Sequence, residues 1–200
     1  MSGMVRHDPR SRPQTLERPA ASVRLPLLTV AREVSHGRTT VVLTRDFAAG
    51  RDGIWHLLTA PDCLQKWAPF TADRDLSQVG RCVLRMLGDH DASGADIPSV
   101  VLVADAPALL EHSWAGDMLA WHLSAVGGAS RLTLHQTLED DTMASGIAAG
   151  WHLCLDVAER ILEGHPSSPV RGMAAMEHGW RELNTRYAEA MGISPSQVGY

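Results

Sequence analysis

Between Met118 and Gly164 the chain changes its hydrophobic period, and few folds accommodate that change. The stretch MLAWHLSAVGGASRLTLHQTLED alternates. Leu119, Trp121 and Leu123 share one face of a first arm; Leu132, Leu134, Gln136 and Leu138 share one face of a second. Successive side chains point to opposite faces of a strand, so each arm has a buried face and a wet face. Gly127-Gly128 between the arms is a hairpin signal. At Gly150-Trp151 the period becomes helical. Trp151, Cys154, Leu155, Ala158, Ile161 and Leu162 form one stripe, with His152, Asp156, Glu159 and Glu163 on the opposite, polar side. Gly164 and then Pro166 mark the stop. An amphipathic sheet followed by a long amphipathic helix is stable when each covers the other's apolar face.

More strands lie upstream. LPLLTVAREV, SHG and RTTVVLTRDF predict a second hairpin. In its second arm Thr40, Val42 and Thr44 alternate with Val41, Leu43 and Arg45, and neither face is cleanly polar. The inward face is therefore left open. GRCVLRML predicts a strand and GDHDASGADIP a polar loop. SVVLVADAP and ALLEHSWAG predict two further strands divided at Ala106-Pro107. Strands in a run, with helices apart from them, define an α+β fold.

Between the first strands and the rest stands DGIWHLLTAPDCLQKW, with two of the six tryptophans. Ile54, Trp55 and Leu58 share one face of a short helix. Thr59-Ala60-Pro61-Asp62 breaks it, and Pro61 suits the start of a second short helix because its missing N–H would be unpaired there anyway. Leu64 and Trp67 face one way on that second piece. The pair forms a V-shaped brace able to plug one end of a curled sheet.

Residues 1–22 are rich in Arg, Pro and Ser and poor in apolar side chains, which predicts a mobile tail. The domain proper is expected over 23–164, and 165–200 as a linker, HPSSPVR, with an extra helix. Over GMAAMEHGWRELNTRYAEAMG, residues Met173, Met176, Trp180, Leu183, Tyr187 and Ala190 repeat at spacings of three and four. That stripe requires cover, either from its own domain or from a second copy. Its heptad-like repeat favours a homodimer through residues 172–191, in which Gly179 sits mid-helix at close packing.

Bulk properties exclude several classes. A net charge of −5 argues against a broad nucleic-acid surface. No apolar run approaches the ~18 residues of a membrane helix, and the first residues lack the apolar core of a secretion signal. Cys63, Cys82 and Cys154 are far apart and show neither C-x-x-C nor zinc spacing, which fits reduced side chains in a cytoplasmic protein. His152 and Asp156 stand four apart, but on a polar face, and DHDASGAD lacks calcium-loop spacing. No metal or other cofactor is expected.

Four segments, in order, carry a resemblance. FAAGRDGIWHLLTAPDCLQKW, ADAPALLEHSW, GASRLTLHQTL and GWHLCLDVAERILEG resemble motifs of the START-related helix-grip superfamily, also labelled SRPBCC. The subgroup they resemble is named after the C-terminal domain of the Aha-type activator of a heat-shock chaperone ATPase. The likeness covers roughly residues 25–164. It implies a curved antiparallel sheet gripping a long C-terminal helix, with a cavity between them. One departure is Gln136, where the family often has His.

On that fold the candidate ligand-binding residues are His112, Trp114, Trp121, Leu123, Leu134, Gln136, Trp151 and Leu155. An apolar pocket with one or two polar groups suits a small hydrophobic or aromatic ligand. No carboxylate pair, nucleophile elbow, phosphate loop or dinucleotide fingerprint is present, so no catalytic residue is assigned. His112 is the one inward acid–base group. The residues favour binding without catalysis. A cyclase- or hydrolase-like enzyme using the same cavity, and an interaction domain acting on a chaperone partner, stay open as alternatives.

Overall fold

The computed structural model describes residues 26–88 and 93–197. The mobile tail expected at 1–22 lies outside them, as do residues 89–92 of the GDHDASGADIP stretch. Both hairpins form. Strands β1 (Thr29–Ser35) and β2 (Arg38–Phe47) turn at His36-Gly37. Strands β7 (Asp117–Val126) and β8 (Ala129–Thr137) turn at Gly127-Gly128, with φ of 54° and 88°. Two left-handed residues in a two-residue loop match the twist of the flanking strands, and glycine adopts them without a Cβ clash.

Between the hairpins lie helix α1 (Arg51–Thr59), helix α2 (Pro61–Trp67) and strands β3 (Phe70–Ala72), β4 (Gly80–Leu87), β5 (Ser93–Asp105) and β6 (Leu109–Trp114). After β8 come a 3-10 turn (Asp141–Met143), helix α3 (Ala144–Leu162), helix α4 (Met173–Glu177) and helix α5 (Trp180–Met191). The eight strands make one antiparallel sheet in the order β1-β2-β8-β7-β6-β5-β4-β3. Thus β2 pairs with β8, and α1–α2 carries the chain to the opposite edge, where the meander back begins. Curved around α3, this is an α+β helix-grip fold. Among the described residues no helix is long and apolar enough to cross a membrane.

The brace forms as its sequence demands. Pro61 opens α2, and Ala60 is extended, which turns the chain between the two helices. Ile54, Trp55, Leu64 and Trp67 are all buried. The Trp67 indole N–H donates to the Leu57 carbonyl at 3.1 Å, tying one helix to the other.

Several elements differ from the sequence reading. Val41, Leu43 and Arg45 face inward on β2, because Arg45 ion-pairs with Asp156 and Glu159 of α3. A charged residue on the core face was what blurred the pattern. Part of the expected loop is strand: β5 begins at Ser93, and Asp96 pairs with Arg85 of β4 at 2.7 Å. Pro98 is tolerated because β5 pairs with β6 only from Val101 onward. Strand β3, unread in the sequence, pairs with β4. Helix α3 starts at Ala144, six residues before Gly150, and its first three residues, Ala144, Ser145 and Gly146, are all buried.

The largest correction concerns the C-terminal stripe. It is two helices, because Gly179 takes φ 88° and ends α4 rather than sitting mid-helix. Leu183 and Tyr187 are buried within the same chain, and α5 lies along α3. The apolar demand that favoured a second copy through residues 172–191 is met inside one molecule, although Met173 stays exposed. His152, expected on a wet face, is buried beneath α5. Its Nδ1 meets the Tyr187 hydroxyl at 2.8 Å and its Nε2 lies 3.4 Å from Asp156. The same hydroxyl accepts the Leu28 backbone N–H at 3.1 Å.

Candidate functional site

The concave face of the sheet presents Leu110, His112 and Trp114 from β6, Leu119, Trp121 and Leu123 from β7, and Leu132, Leu134 and Gln136 from β8. Alternation places them there, and α3 lowers Trp151, Cys154, Leu155 and Ala158 onto them. Trp151 is the hub. Its ring centroid lies 5.0 Å from Trp121, 5.8 Å from Trp114, 6.1 Å from Trp67 and 6.4 Å from Phe70. Most of these pairs meet edge to face, the arrangement that ring quadrupoles favour. The middle of the grip is thus filled by aromatic rings. Trp67 belongs to α2, so the brace supplies part of this filling.

Two buried polar groups are tied into the packing. The Gln136 carbonyl oxygen accepts from the Trp151 indole N–H at 2.6 Å, and its amide donates to Asp117 at 2.5 Å. His112 Nε2 accepts from the Trp121 indole N–H at 3.3 Å, and Nδ1 lies 3.2 Å from the Ser113 carbonyl. These contacts describe a neutral ring with its proton on Nδ1. Burial pushes the His112 pKa down to about 4, partly opposed by the bond to Ser113. A buried imidazole that is neutral and bonded at both nitrogens is an anchor for Trp121, with no free nitrogen for acid–base work.

Open space lies one layer outward, where the grip meets the C-terminal segment. A cavity of about 200 Å³ is lined by Trp114 of the sheet and by Ile147, Gly150, Trp151 and Cys154 of α3. Its far wall is Val170, Arg171, Gly172, Ala175, Met176 and Trp180, and Pro69 closes one side. Gly150 leaves room beside the Trp180 ring, whose N–H donates to the Gly146 carbonyl at 3.1 Å. Burial pushes the Cys154 thiol up to about 12, against the pull of the Arg171 charge. At neutral pH it is a protonated, apolar lining atom. Arg171 is the charged residue of the lining. It donates to the Ala68 carbonyl at 2.9 Å and the Gln65 carbonyl at 3.1 Å, which hold it against the end of α2.

Of the residues chosen from the sequence, Trp114 and Trp151 line this cavity. His112, Trp121, Leu123, Leu134, Gln136 and Leu155 are buried in the packed interior behind them. Sequence reasoning missed Ile147, Ala175, Met176 and Trp180. The stripe holding Met176 and Trp180 was visible, but nothing in the sequence said that it closes over Trp151.

The class these features define is an α+β helix-grip protein with an added C-terminal cover. No family model matches the sequence, and no curated protein matches it. Solved structures do. The crystal structure of CalU16 from Micromonospora echinospora superposes with a TM-score of 0.58 at 18% identity, over 81% of this chain and 95% of that one. A protein encoded by BPP1335 from Bordetella parapertussis gives 0.60 at 16% identity, over 80% and 90%. EF2215 from Enterococcus faecalis, a conserved protein of unknown function, gives 0.58 at 15%, over 79% and 91%. At these identities the likeness is one of fold.

Proposed function

We propose that the chain binds a small apolar or aromatic molecule, unchanged, in the cavity between Trp151 of α3 and the C-terminal cover. The carrying observation is the lining: three tryptophans, a methionine and aliphatic side chains around about 200 Å³. Apolar cavities of about 150 Å³ hold a benzene-sized guest, so one ring or a short branched chain is the scale of ligand that fits. Such a ligand has few atoms, which sets an affinity on the order of micromolar to millimolar. The sequence resemblance to SRPBCC proteins agrees with a ligand between sheet and helix, here displaced outward because rings fill the centre.

Binding without chemistry is favoured over an enzyme because the acid–base group best placed by sequence, His112, does not line the cavity. The Cys154 thiol is held protonated and makes a poor nucleophile. Titration of the full chain with single-ring aromatics tests the reading by tryptophan fluorescence. Saturable quenching is expected, and it should vanish in Ala175→Phe, which fills the space, while circular dichroism stays native. Absence of saturable binding across a series of one-ring and short aliphatic probes would overturn it.

A further inference from the structure

The turn between α1 and α2 brings together three side chains that lie up to seven positions apart in the sequence. His56 lies in the last turn of α1, and Asp62 and Cys63 in the first turn of α2. One ligand atom from each, an imidazole nitrogen, a carboxylate oxygen and a sulfur, lies within 4.8 Å of the other two. We propose that His56, Asp62 and Cys63 form an open, three-ligand site for a borderline-soft divalent cation of the Zn²⁺ class.

Four features support this. The scaffold is fixed: Ala60 N–H donates to the His56 carbonyl at 3.0 Å, and the Ala60 carbonyl accepts from Cys63 and Leu64 at 3.0 and 2.9 Å. The donor set is one thiolate, one imidazole and one carboxylate, which together select zinc-like ions over Mg²⁺ or Ca²⁺. Charge balances, because a thiolate and a carboxylate neutralise a divalent ion beside a neutral imidazole. The side chains are also free to close. Among the described residues His56 and Cys63 have no side-chain hydrogen bond, and Asp62 has only a 3.7 Å pairing with exposed Lys66. Bonds of about 2.0–2.3 Å in tetrahedral geometry need ligand atoms about 3.3–3.8 Å apart, a closure of roughly 1 Å that the exposed His56 and Asp62 side chains make by rotation towards the half-buried Cys63.

Binding exchanges the Cys63 S–H proton for the metal, and that proton leaves to solvent. Burial and the Asp62 charge both raise the pKa of this thiol. A cation set between thiol and carboxylate reverses the second effect. Three protein ligands leave a fourth position facing water, the arrangement of an open rather than a closed zinc site. Spacing rules miss it, since the cluster is made by the Ala60-Pro61 break and not by a repeat.

Cobalt(II) is the probe, added to the full chain under reducing conditions. Cys82 and Cys154 are buried, so Cys63 is the one partly exposed thiol. A stoichiometric thiolate-to-cobalt charge-transfer band is expected, reversed by Zn²⁺ and absent in Cys63→Ser. His56→Ala and Asp62→Asn should each weaken cobalt binding by at least the roughly 10–100-fold that changes outside the ligand shell cost elsewhere. No band at equimolar cobalt would overturn the proposal. A band in which His56→Ala and Asp62→Asn bind as tightly as the native chain would also overturn it, since that marks an adventitious thiol contact.

Discussion

His112 shows what a buried polar residue does in this interior. Its neutral ring orients Trp121, and its pKa falls from the usual 6.5 to about 4 in the fold. The unfolded chain therefore takes up a proton at this residue near pH 6.5 and the folded chain only near pH 4. Between those values the unfolded state holds more protons, so stability falls as the pH drops through that window. His112's contribution is whole above about pH 6.5 and spent below about pH 4, and amounts to about 3 kcal/mol. Urea unfolding of the native chain and of His112→Gln at several pH values checks this. The native chain should lose stability more steeply between pH 6.5 and 4, and parallel curves would refute the assignment. Asp156 is also shifted down, but by its partners and against burial. Burial works to raise its pKa, but hydrogen bonds from His152 and Arg45, with the Arg45 charge, hold it below the usual carboxylate range. None of this partnering is legible at the level of the residue. Arg45 and His152 look like surface groups until Asp156 and Tyr187 are known to face them.

At the scale of elements, two glycines separate helix propensity from packing. Both sit inside helices, where Ala is favoured over Gly by about 1 kcal/mol. A Cβ on Gly53 of α1 would meet only a Leu162 methyl at 3.9 Å. Gly53→Ala should therefore stabilise the protein by about 0.5–1 kcal/mol. A Cβ on Gly146 of α3 would stand 2.9 Å from the Trp180 ring and 3.1 Å from Ser196 Cβ. Overpacking costs about 1–3 kcal/mol, which outweighs the propensity gain, so Gly146→Ala should destabilise. Thermal unfolding of the two variants should move the midpoint in opposite directions. The same glycine explains why the start of α3 was hard to see. Ala144-Ser145-Gly146 has the look of a helix break, and its apolar residues form no stripe, because this segment is covered on every side. The later turns face polar partners and so kept a readable period. The two hairpins and the brace were legible because Gly and Pro at a turn act locally. Gly179 was misread because a left-handed residue that splits two helices leaves the three-and-four spacing intact across it.

The whole molecule has no dispensable cover. Ser145 donates to Asn184 at 2.6 Å, and Ser196 accepts the Gly146 N–H at 2.9 Å, so α5 and the turn after it complete the hydrogen bonding at the start of α3. Leu183, Tyr187 and Ala188 are buried against the rest of the fold. Large apolar side chains contribute about 1.5–3 kcal/mol each on burial, and a domain has only about 5–15 kcal/mol in all. A chain cut after Gly164 should therefore lose cooperative unfolding and bind a hydrophobic dye at 25 °C. A sharp thermal transition within a few degrees of the native one would contradict this. Most of the sheet and of the long helix could be drawn from the sequence, because period and turn residues act locally. The cavity could not, since its outer wall comes from a segment whose docking depends on Gly146, Gly150 and Trp180 meeting across some thirty residues of chain.

The bond from the Leu28 amide to the Tyr187 hydroxyl joins positions 159 residues apart. Strand β2 likewise waits for β8 before it has an inner neighbour. On a ribosome, the first hairpin emerges with a bare edge and stays so until most of the domain has been made. Tyr187 must then leave the exit tunnel before His152 and Leu28 acquire their shared partner. The pocket is accordingly a late product of synthesis. The cavity exists only after translation has passed α5, and a nascent chain stalled between Gly164 and Trp180 lacks the outer wall that closes it.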